Sequence, residues 1–600
     1  MKRFSASKKA LLCGVAIATF SLAATLPVGC SKNADEVKVK PDLPLKPKPP
    51  IDSETVNPTA VQLGTGETKA GPSDHTMFGG TVSRNMINMI DKNVPEKVEP
   101  DGPATLWKVG LGSRAYGGPI ISNGKIFVGT NNESKDHRNE RDWLKNKEGE
   151  SEPIDRGVLL CFEEKTGKFL WQAVHPKLPS GQVHDWPKEG LCSSPTAEGD
   201  RVYYVSNRCT VVCADVNGPA SKQPGGIERK GFSDPTDAKF IWEYDMMKEL
   251  NVFPHNMSAC SPLVVGDIIF IVTANGVDEG HINIPSPEAP SFIALDKKSG
   301  KLLWKRNDPG KDIMHGQWSN PVYAEINGVK QVIFPGGDGW LRGFVPESGE
   351  LIWKFDCNPK DAIYELGGTG TRNDFIGTPV VHDNKVYIGV GQDPEHSTGT
   401  ANFFCIAPTK KGDISKTLIS GRDKDFKPLD EKPNPNSCEV WRYGGAEGGK
   451  FTQRDFKFGR TMSSACIVDD ILYIAELTGF LHCLNAKTGE HYWQFDTKAS
   501  IWGSAYYVDG KIFLANDQGD LFIFKHEKMH QVYDEVKAGQ NAKDMKEARK
   551  LMQEVRKQVS EKYLISKVEF DAPIRSTPVV ANGVLYVMTE KSLYAIKCGK

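Results

Sequence analysis

One short pattern recurs along the chain, in which a turn glycine precedes a tryptophan by four residues. The pairs are Gly167/Trp171, Gly300/Trp304, Gly349/Trp353 and Gly489/Trp493. In each pair the polar turn is flanked by apolar residues, as in CLNAKTGEHYWQF at residues 483–495. Self-similar segments of this kind indicate a repeat architecture, so the repeat has to be counted before any other feature is interpreted.

A second pattern marks the other end of each unit. A small residue, usually followed by proline, precedes two alternating apolar runs that are separated by a turn of Gly, Asp or Asn. It begins at eight positions: Gly117, Ser193, Cys260, Ser319, Gly377, Ser463, Gly503 and Ser576. Period-2 alternation around such a turn predicts an antiparallel hairpin. Each unit therefore predicts four antiparallel strands, A to D, with the hairpin as A and B and the tryptophan on D.

Eight units of this kind predict an all-β fold, an eight-bladed β-propeller of four-stranded antiparallel blades. The last unit has only three strands before the chain ends, whereas TLWKV at residues 105–109 resembles a strand D with no unit before it. We expect this N-terminal strand to complete the last blade, because a closed ring leaves no long sheet edge unpaired.

Residues 527–566 form the longest insertion that interrupts the predicted strands. Within them Ala548, Leu551, Met552, Val555 and Val559 fall on one helical face. We expect a helical insertion here, with an amphipathic helix that packs on the flank of the propeller. A helix that docks a partner protein is the alternative.

The N-terminus has the layout of an export signal, with four basic residues, an apolar run and then Cys30. We therefore predict a signal peptide at residues 1–30, resembling a bacterial lipoprotein signal in which Cys30 is lipidated. Simple signal cleavage and an uncleaved anchor are the alternatives. Residues 31–75 are rich in Pro and Lys and predict a disordered linker, so the propeller is expected over residues 76–600. The protein is expected on the periplasmic or cell-envelope side, held to a membrane by its lipid anchor.

Charge and cysteine content restrict the class of protein further. The net charge of -1, from 75 basic and 76 acidic residues, gives no global field that would attract nucleic acid. Four of the 13 cysteines share one position on strand C, where other units have Ala or Gly, and are therefore expected as small buried residues. They are Cys161, Cys213, Cys405 and Cys483. Cys192 and Cys260, near inner strands of adjacent blades, are the only pair for which we consider a disulfide.

Connections from strand D to the next strand A are expected to line a central funnel, where propellers usually bind ligands. A small anionic ligand could be held there by arginine pairing and aromatic stacking. The candidate residues are Arg114, His255, His315, Trp318, Arg372, Arg460, Trp502 and Arg575. Asp374 is the candidate general base, and Asn373 and Asp374 are candidate metal ligands. The alternatives are a water-filled polar channel and a metal site formed by His184, His255 and His315.

The motifs ALDKKSGKLLW, CLNAKTGEHYW and CFEEKTGKFLW resemble the pyrroloquinoline-quinone (PQQ) repeat family. That family includes quinoprotein dehydrogenases and a BamB-like lipoprotein of the outer-membrane β-barrel assembly machinery. The resemblance implies the propeller fold, whereas it says little about activity. It implies a binding or protein-interaction scaffold at the cell envelope, with envelope proteins as partners.

The alternative function implied by the resemblance is a PQQ- and calcium-dependent dehydrogenase that oxidises alcohols or sugars. The chain contains neither adjacent cysteines nor a Cys-x-x-Cys-His motif. The first departs from several quinoprotein dehydrogenases, which carry a vicinal disulfide against the quinone, and the second excludes covalently attached haem. These departures favour the scaffold and leave enzymatic activity as an open question.

Overall fold

The computed structural model describes residues 73–134, 136, 142–222, 226, 227, 229, 231–360, 362, 363, 365, 366, 374–391, 399–445, 456–527, 532–540 and 542–599. Eight sheets, each with four antiparallel strands, are arranged as the blades of a β-propeller. The fold class predicted from the repeat is therefore confirmed. The predicted signal peptide with Cys30, and most of the predicted linker, lie outside the described residues.

Each of the first four blades contains strands A to D in chain order. Blade 1 has Ile120–Ser122, Lys125–Asn131, Arg156–Glu163 and Phe169–Pro176. Blade 2 has Thr196–Glu198, Arg201–Ser206, Thr210–Asp215 and Phe240–Asp245. Blade 3 has Leu263–Val265, Ile268–Val272, Phe292–Asp296 and Leu302–Arg306. Blade 4 has Val322–Ile326, Val329–Pro335, Trp340–Phe344 and Leu351–Asp356, with Gly412–Asp413 as an added parallel strand.

The other blades follow the same order, except that the last takes one strand from the N-terminal side. Blade 5 has Val380–His382, Lys385–Gly389, Asn402–Ile406 and Glu439–Gly444. Blade 6 has Cys466–Val468, Ile471–Ala475, Phe480–Asn485 and His491–Asp496. Blade 7 has Tyr506–Val508, Lys511–Ala515, Asp520–Lys525 and Leu564–Glu569. Blade 8 has Val579–Ala581, Val584–Met588, Ser592–Lys597 and Thr105–Gly110.

The strand Thr105–Gly110 pairs antiparallel with Ser592–Lys597, and Trp107 lies opposite Ala595. Trp107 thus takes the strand D position that the repeat pattern predicts for it. Its indole Nε1 donates a hydrogen bond to the carbonyl of Glu164 in blade 1, at 3.1 Å. The first and last blades are therefore connected by the same contact as other neighbouring blades.

The strand D tryptophans explain why the motif repeats. In five pairs of neighbouring blades the indole Nε1 donates to a backbone carbonyl in the C–D turn of the next blade, at 2.8–3.1 Å. The pairs are Trp107/Glu164, Trp171/Val216, Trp242/Lys297, Trp304/Pro346 and Trp441/Ala486. The large apolar ring fills the space between two blades, while its one polar atom finds an acceptor.

Insertions and connections add short hairpins and helices outside the four-stranded blades. The hairpins pair Trp143–Lys145 with Ser151–Pro153, Thr417–Leu418 with Lys432–Pro433, and Gly421–Arg422 with Pro428–Leu429. The α-helices are α1 (Met246–Leu250), α2 (Glu535–Gln540) and α3 (Met545–Tyr563). Single 3₁₀ turns occur at Gly181–Val183, Gly218–Ala220 and Gly310–Asp312.

Helix α3 lies in the insertion between strands C and D of blade 7. It begins at a capped turn, because the Asp544 side chain accepts a hydrogen bond from the Glu547 amide. Ala548, Met552 and Val559 form its buried face, as their spacing in the sequence predicts. Leu551, from the same predicted face, is instead 37% exposed. The buried stripe is thus narrower than the sequence pattern indicates.

The described cysteines are all free thiols. The four that share the strand C position are fully buried, which confirms that this position requires a small apolar residue. The disulfide considered for Cys192 and Cys260 is not formed, because both residues are free thiols with contacts of their own. The Cys192 thiol lies 3.6 Å from the carbonyl of Glu189, and the Cys260 sulfur lies 3.3 Å from the amide of Val272.

A segment that the sequence pattern did not reveal, residues 75–88, crosses the inner strands of the blades; we call it the axial segment. It meets the inner edges of blades 1, 2, 4 and 5 through backbone atoms. These contacts pair His75 with Ile121, Thr76 with Ala197, Val82 with Tyr323 and Ser83 with Val381. An inner strand has an unpaired edge, and a crossing chain satisfies it with hydrogen bonds.

The axial segment reaches the other four blades through Arg84 to Asn88. Arg84 contacts the carbonyls of Ser261 and Pro262 at the start of blade 3. The Asn85 side chain both donates to and accepts from the backbone of Ile467 in blade 6, at 2.9 Å each. Ile87–Asn88 forms a short strand parallel to Tyr506–Val508 in blade 7, and Asn88 Nδ2 donates to Val580 O in blade 8. The segment thus contacts seven inner strands and the residues just before the eighth, so it lies along the channel that these strands surround.

Candidate functional site

The wall of the central funnel is built from small residues at the starts of the inner strands. A β-carbon on Gly117 would stand 2.8 Å from the carbonyl oxygen of Ser193, and one on Gly503 would stand 2.7 Å from that of Ser576. The blades thus approach each other so closely here that backbone packs on backbone. This is the physical reason for the small residue that opens each predicted unit.

The funnel contains a cavity of about 140 Å³. Tyr116, Trp502 and Arg575 line it from the connections that precede the inner strands. The axial segment lines it as well, through His75, Phe78, Gly79 and Met86. The N-terminal part of the chain therefore forms one part of the cavity wall.

Arg575 is the centre of an ion-pair network among the lining residues. Its Nε lies 2.9 Å from Asp517 Oδ1, and its Nη1 donates to Glu590 Oε1 at 2.5 Å and to the Tyr116 hydroxyl at 2.9 Å. The guanidinium also lies over the Trp502 ring, 4.7 Å from its centroid. The Arg575 guanidinium is therefore already paired with Asp517 and Glu590, and it already covers the face of the Trp502 ring.

Arg114 extends the network on the other side of Glu590. Its Nη1 lies 3.2 Å from Glu590 Oε2, and its Nε lies 3.8 Å from Glu189 Oε1. Burial raises the pKa of Glu590, while Arg575 and Arg114 oppose that rise by stabilising the ionised carboxylate. Two arginines are thus matched by the carboxylates of Glu590, Glu189 and Asp517. The network leaves little positive charge to attract an anion into the funnel.

The structure separates the residues predicted for the funnel into several groups. Trp502 and Arg575 line the cavity, and Arg114 joins them through Glu590. Asp374 is fully buried, and its backbone forms a bridge with Gly391. Arg460 is also buried, and its backbone pairs with Gly399. Arg372 and Asn373 lie outside the described residues, so the general base and metal ligands expected at positions 373 and 374 stay predictions.

The remaining predicted residues, His255, His315 and Trp318, form a separate cluster. The Nε2 atoms of His255 and His315 are 3.0 Å apart. The third histidine of this cluster is His281, whose Nε2 lies 3.1 Å from that of His255. His184, the third histidine considered from the sequence, instead packs on Phe253 with ring centroids 4.3 Å apart. In the sequence, His281 lies in an insertion that belongs to no repeat, so the repeat pattern did not mark it as a candidate.

Arg84 is a buried group that the sequence did not single out. Its side chain is completely buried and donates to the carbonyls of Phe78 at 2.7 Å and of Pro321, Ser261 and Pro262 at 3.2 Å each. Burial lowers the pKa of Arg84 to about 10, so the guanidinium stays charged at neutral pH. It therefore connects the axial segment to blades 3 and 4 by charge-assisted hydrogen bonds.

Comparison with known families shows which protein family this propeller is related to. The sequence profile of the family described as outer membrane protein assembly factor BamB matches residues 232–424 and 438–564, more than half of the 600 residues. The chain belongs to this family. The resemblance to PQQ-repeat proteins is thus confirmed for this BamB-family chain, although no curated protein matches it in sequence.

Solved structures resemble this family member at low sequence identity. Quinohemoprotein alcohol dehydrogenase from Comamonas testosteroni is 10% identical, with 88% of this chain and 81% of that chain covered and a TM-score of 0.52. BamB from Moraxella catarrhalis is 12% identical, with 82% and 97% covered and a TM-score of 0.42. The alcohol dehydrogenase, with a TM-score above 0.5 at 10% identity, bears on the fold alone and leaves the activity open.

No described helix of this BamB-family chain has both the length and the apolar character that are needed to cross a lipid bilayer. The long helix α3 illustrates this, because Lys and Glu occupy much of its surface.

Proposed function

We propose that this BamB-family protein is an exported propeller that acts as a protein-interaction scaffold at the cell envelope, in the assembly of outer membrane proteins. The observation that carries the proposal is the axial segment, which contacts the inner edges of the blades and, among the described residues, borders a funnel cavity of about 140 Å³. Pockets for small molecules usually measure about 300–1,000 Å³. A funnel cavity of this size favours a protein that works through its outer surface.

The alternative, a dehydrogenase with PQQ and calcium, requires a funnel that can accept a flat, tricarboxylate quinone. The described residues fit that group poorly, because the Arg575 guanidinium covers the Trp502 ring on which a quinone would stack. Arg575 and Arg114 are already paired with carboxylates, so neither is free to bind an anionic cofactor without losing a partner. These observations support the scaffold over the enzyme.

A binding experiment separates the two functions. The purified chain is mixed with calcium and PQQ, and quinone binding is followed by quenching of tryptophan fluorescence and by reduction of a dye with alcohols or sugars. We expect neither binding nor dye reduction. Stoichiometric quinone binding that is weakened by Trp502→Ala would overturn the proposal and assign the funnel to a cofactor.

An experiment in cells tests the scaffold directly. Removal of the gene is expected to lower the amount of folded β-barrel proteins in the outer membrane, measured by heat-dependent migration in gels. Expression of the intact chain should restore that amount. Unchanged barrel assembly in the absence of the protein would contradict the proposed role.

We further propose that Cys30 is lipidated and attaches the propeller to a membrane. Replacement of Cys30 by alanine should prevent incorporation of labelled palmitate and release the protein from the membrane fraction. Cys13→Ala, within the apolar run of the same signal, is the matched control and should behave as the wild type. Equal labelling of both variants would exclude Cys30 as the acceptor.

A further inference from the structure

We propose that His255, His281 and His315 bind one divalent transition metal ion, for which zinc is a suitable probe. One ligand nitrogen from each of the three rings lies within 4.8 Å of the other two. The three histidines lie in three different loops of the chain. His255 precedes blade 3, His281 lies in the insertion between its strands B and C, and His315 precedes blade 4.

The spacing of the nitrogens is close to that of a zinc site. Zinc–nitrogen bonds of about 2.0–2.1 Å in tetrahedral geometry separate the ligand nitrogens by about 3.3–3.4 Å. The Nε2 atom of His255 lies 3.0 Å from that of His315 and 3.1 Å from that of His281. These two separations need to change by only a few tenths of an ångström to admit the ion, whereas the nitrogens of His281 and His315, which lie within 4.8 Å of each other, must also reach the separation of about 3.3–3.4 Å. The same distances also permit N–H···N hydrogen bonds, which is the outcome that the experiment below has to exclude.

The outer contacts of His255 suit a metal ligand. Its Nδ1 lies 2.8 Å from the carbonyl oxygen of Val277, which can only accept a hydrogen bond. Nδ1 therefore carries the proton of the neutral ring, and Nε2 directs its lone pair towards the other two histidines. A backbone carbonyl that orients the second ring nitrogen is the usual outer partner of a metal-bound histidine.

Aromatic packing positions His315, another of the three proposed ligands. The Trp318 ring meets the His315 ring edge to face, with centroids 4.7 Å apart. The indole Nε1 of Trp318 donates to the carbonyls of His255 and Met257, at 3.2 and 3.1 Å. Trp318 thus fixes the two connections that carry His255 and His315 relative to each other.

The backbone next to the cluster is constrained at several residues. His281, Asn256 and Ala274 all have left-handed φ values, of 56°, 59° and 68°. Such conformations cost free energy in residues other than glycine and concentrate at functional sites. A β-carbon on Gly276 would stand 2.6 Å from His255 Cβ, so only glycine allows the backbone to lie this close to His255.

His281 is the ligand nearest to solvent and lies on a well-defined turn. Its amide donates to the carbonyl of Asp278 at 3.0 Å, and the Asp278 carboxylate accepts from the amide of Ile282 and the side chain of Asn283 at 2.8 and 2.7 Å. His255 and His315 are buried, whereas His281 is half-buried. An ion on three histidines retains a fourth coordination position, and this side of the cluster allows water to occupy it.

The experiment uses the full-length chain without a histidine tag, treated with a chelator and then titrated with zinc in a calorimeter. We expect one zinc ion per chain and an unfolding temperature that rises with zinc, because an ion that binds only the folded state stabilises it. Cobalt should give the absorption bands of a tetrahedral ion with nitrogen ligands.

Variants of the half-buried histidines decide the assignment. His281→Ala should weaken zinc binding by at least about tenfold, while His184→Ala, a half-buried histidine of the neighbouring connection, should leave it unchanged. His315→Gln provides a second ligand variant, with its folding checked by circular dichroism. If the wild type binds zinc no more tightly than His281→Ala does, the three histidines form a hydrogen-bonded cluster and the proposal is wrong.

Discussion

Gly300, in the C–D turn of blade 3, lies against the indole of Trp242 in strand D of blade 2, so that a β-carbon on Gly300 would stand 2.6 Å from Trp242 Cε3. The same turn accepts the hydrogen bond of that indole at Lys297 O, 3.1 Å away. The arrangement recurs between other blades, with turn glycines against the preceding tryptophan at 2.7–2.8 Å: Gly167 on Trp107, Gly349 on Trp304 and Gly489 on Trp441. The turn glycine of one repeat therefore leaves room for the tryptophan ring of the repeat before it.

Replacement of Gly300 by alanine should destabilise the propeller through two separate effects. Its φ of 70° is left-handed, which costs alanine about 1–2 kcal/mol. The added methyl group also overpacks the Trp242 ring, which costs about 1–3 kcal/mol more. We expect a total loss of about 3 kcal/mol in the free energy of unfolding, measured by urea denaturation with tryptophan fluorescence.

Gly510→Ala is the matched control for that measurement. Gly510 has a nearly identical φ of 72°, but nothing lies within 4 Å of the position that a β-carbon would occupy. Gly510→Ala should therefore show only the conformational cost. Equal losses for the two alanine variants would mean that the contact with Trp242 contributes nothing.

Two tryptophans lack a glycine turn, because the next blade carries an insertion there. The indole of Trp353 donates instead to Gln331 Oε1 in its own blade, at 2.6 Å. The indole of Trp493 stacks on Tyr563 at the end of α3, with ring centroids 5.0 Å apart and planes inclined by 15°. Helix α3 thus provides the inter-blade packing that a glycine turn provides elsewhere.

Tyr563→Ala should detach α3 from the propeller and lower the free energy of unfolding by about 3–5 kcal/mol, because it opens a cavity beside a fully buried tryptophan. Hydrogen exchange at residues 545–563 should accelerate before exchange in the blades. Tyr563→Phe keeps the stacked ring and should lose less than about 1.5 kcal/mol. Similar losses for both variants would show that the ring packing is not what holds the helix.

The count of blades and their order could be predicted from the sequence, because the information is local. Alternating apolar residues, the turn glycine and the following tryptophan lie within a dozen residues of one another in each unit. Even the displaced strand at Trp107 carries the same local pattern as the other strands D. A pattern repeated eight times identifies a fold whose individual strands are each ambiguous.

The axial segment could not be predicted in this way, because its contacts join single residues that are far apart in the chain. Asn85 pairs with Ile467 across 382 positions, and the segment has no alternation of its own. His281 was missed for the same reason, since it lies in an insertion outside the repeat. The arginines of the funnel were found by position, but two of their carboxylate partners, Glu590 and Asp517, follow strand B and were not considered.

Arg84→Ala should release the axial segment from blades 3 and 4. Four backbone carbonyls lose their charged donor, and three of them lie at the starts of inner strands. We expect a loss of about 3 kcal/mol in the free energy of unfolding, since hydrogen bonds to a charged group contribute about 1.5–3 kcal/mol each and the four share one side chain. Limited proteolysis should then cut within residues 73–98 before the blades unfold.

Arg549→Ala is the control for Arg84→Ala, because Arg549 lies on the exposed side of α3. A surface change of this kind should alter stability by no more than about 0.5 kcal/mol. Resistance of the Arg84 variant to proteolysis at the wild-type level would show that the segment is held without the guanidinium.

His75 should make the stability of the propeller depend on pH. Burial and then the charge of Arg84 lower the pKa of His75 from 6.5 to about 4 in the folded protein. The unfolded chain therefore binds this proton first as the pH falls, and the stabilising contribution is complete above pH 6.5 and lost progressively towards pH 4. A shift of this size corresponds to about 3 kcal/mol over that window.

The His75→Phe variant isolates this contribution from those of other buried histidines, such as His175 and His491, whose pKa values are also lowered by burial. Unfolding free energies of the variant and the wild type should differ by a constant amount between pH 7 and pH 9. Below pH 6.5 the wild type should lose stability more steeply, because only it retains the proton-binding group at position 75. Parallel curves down to pH 4 would show that the imidazole is not held neutral between the axial segment and blade 1.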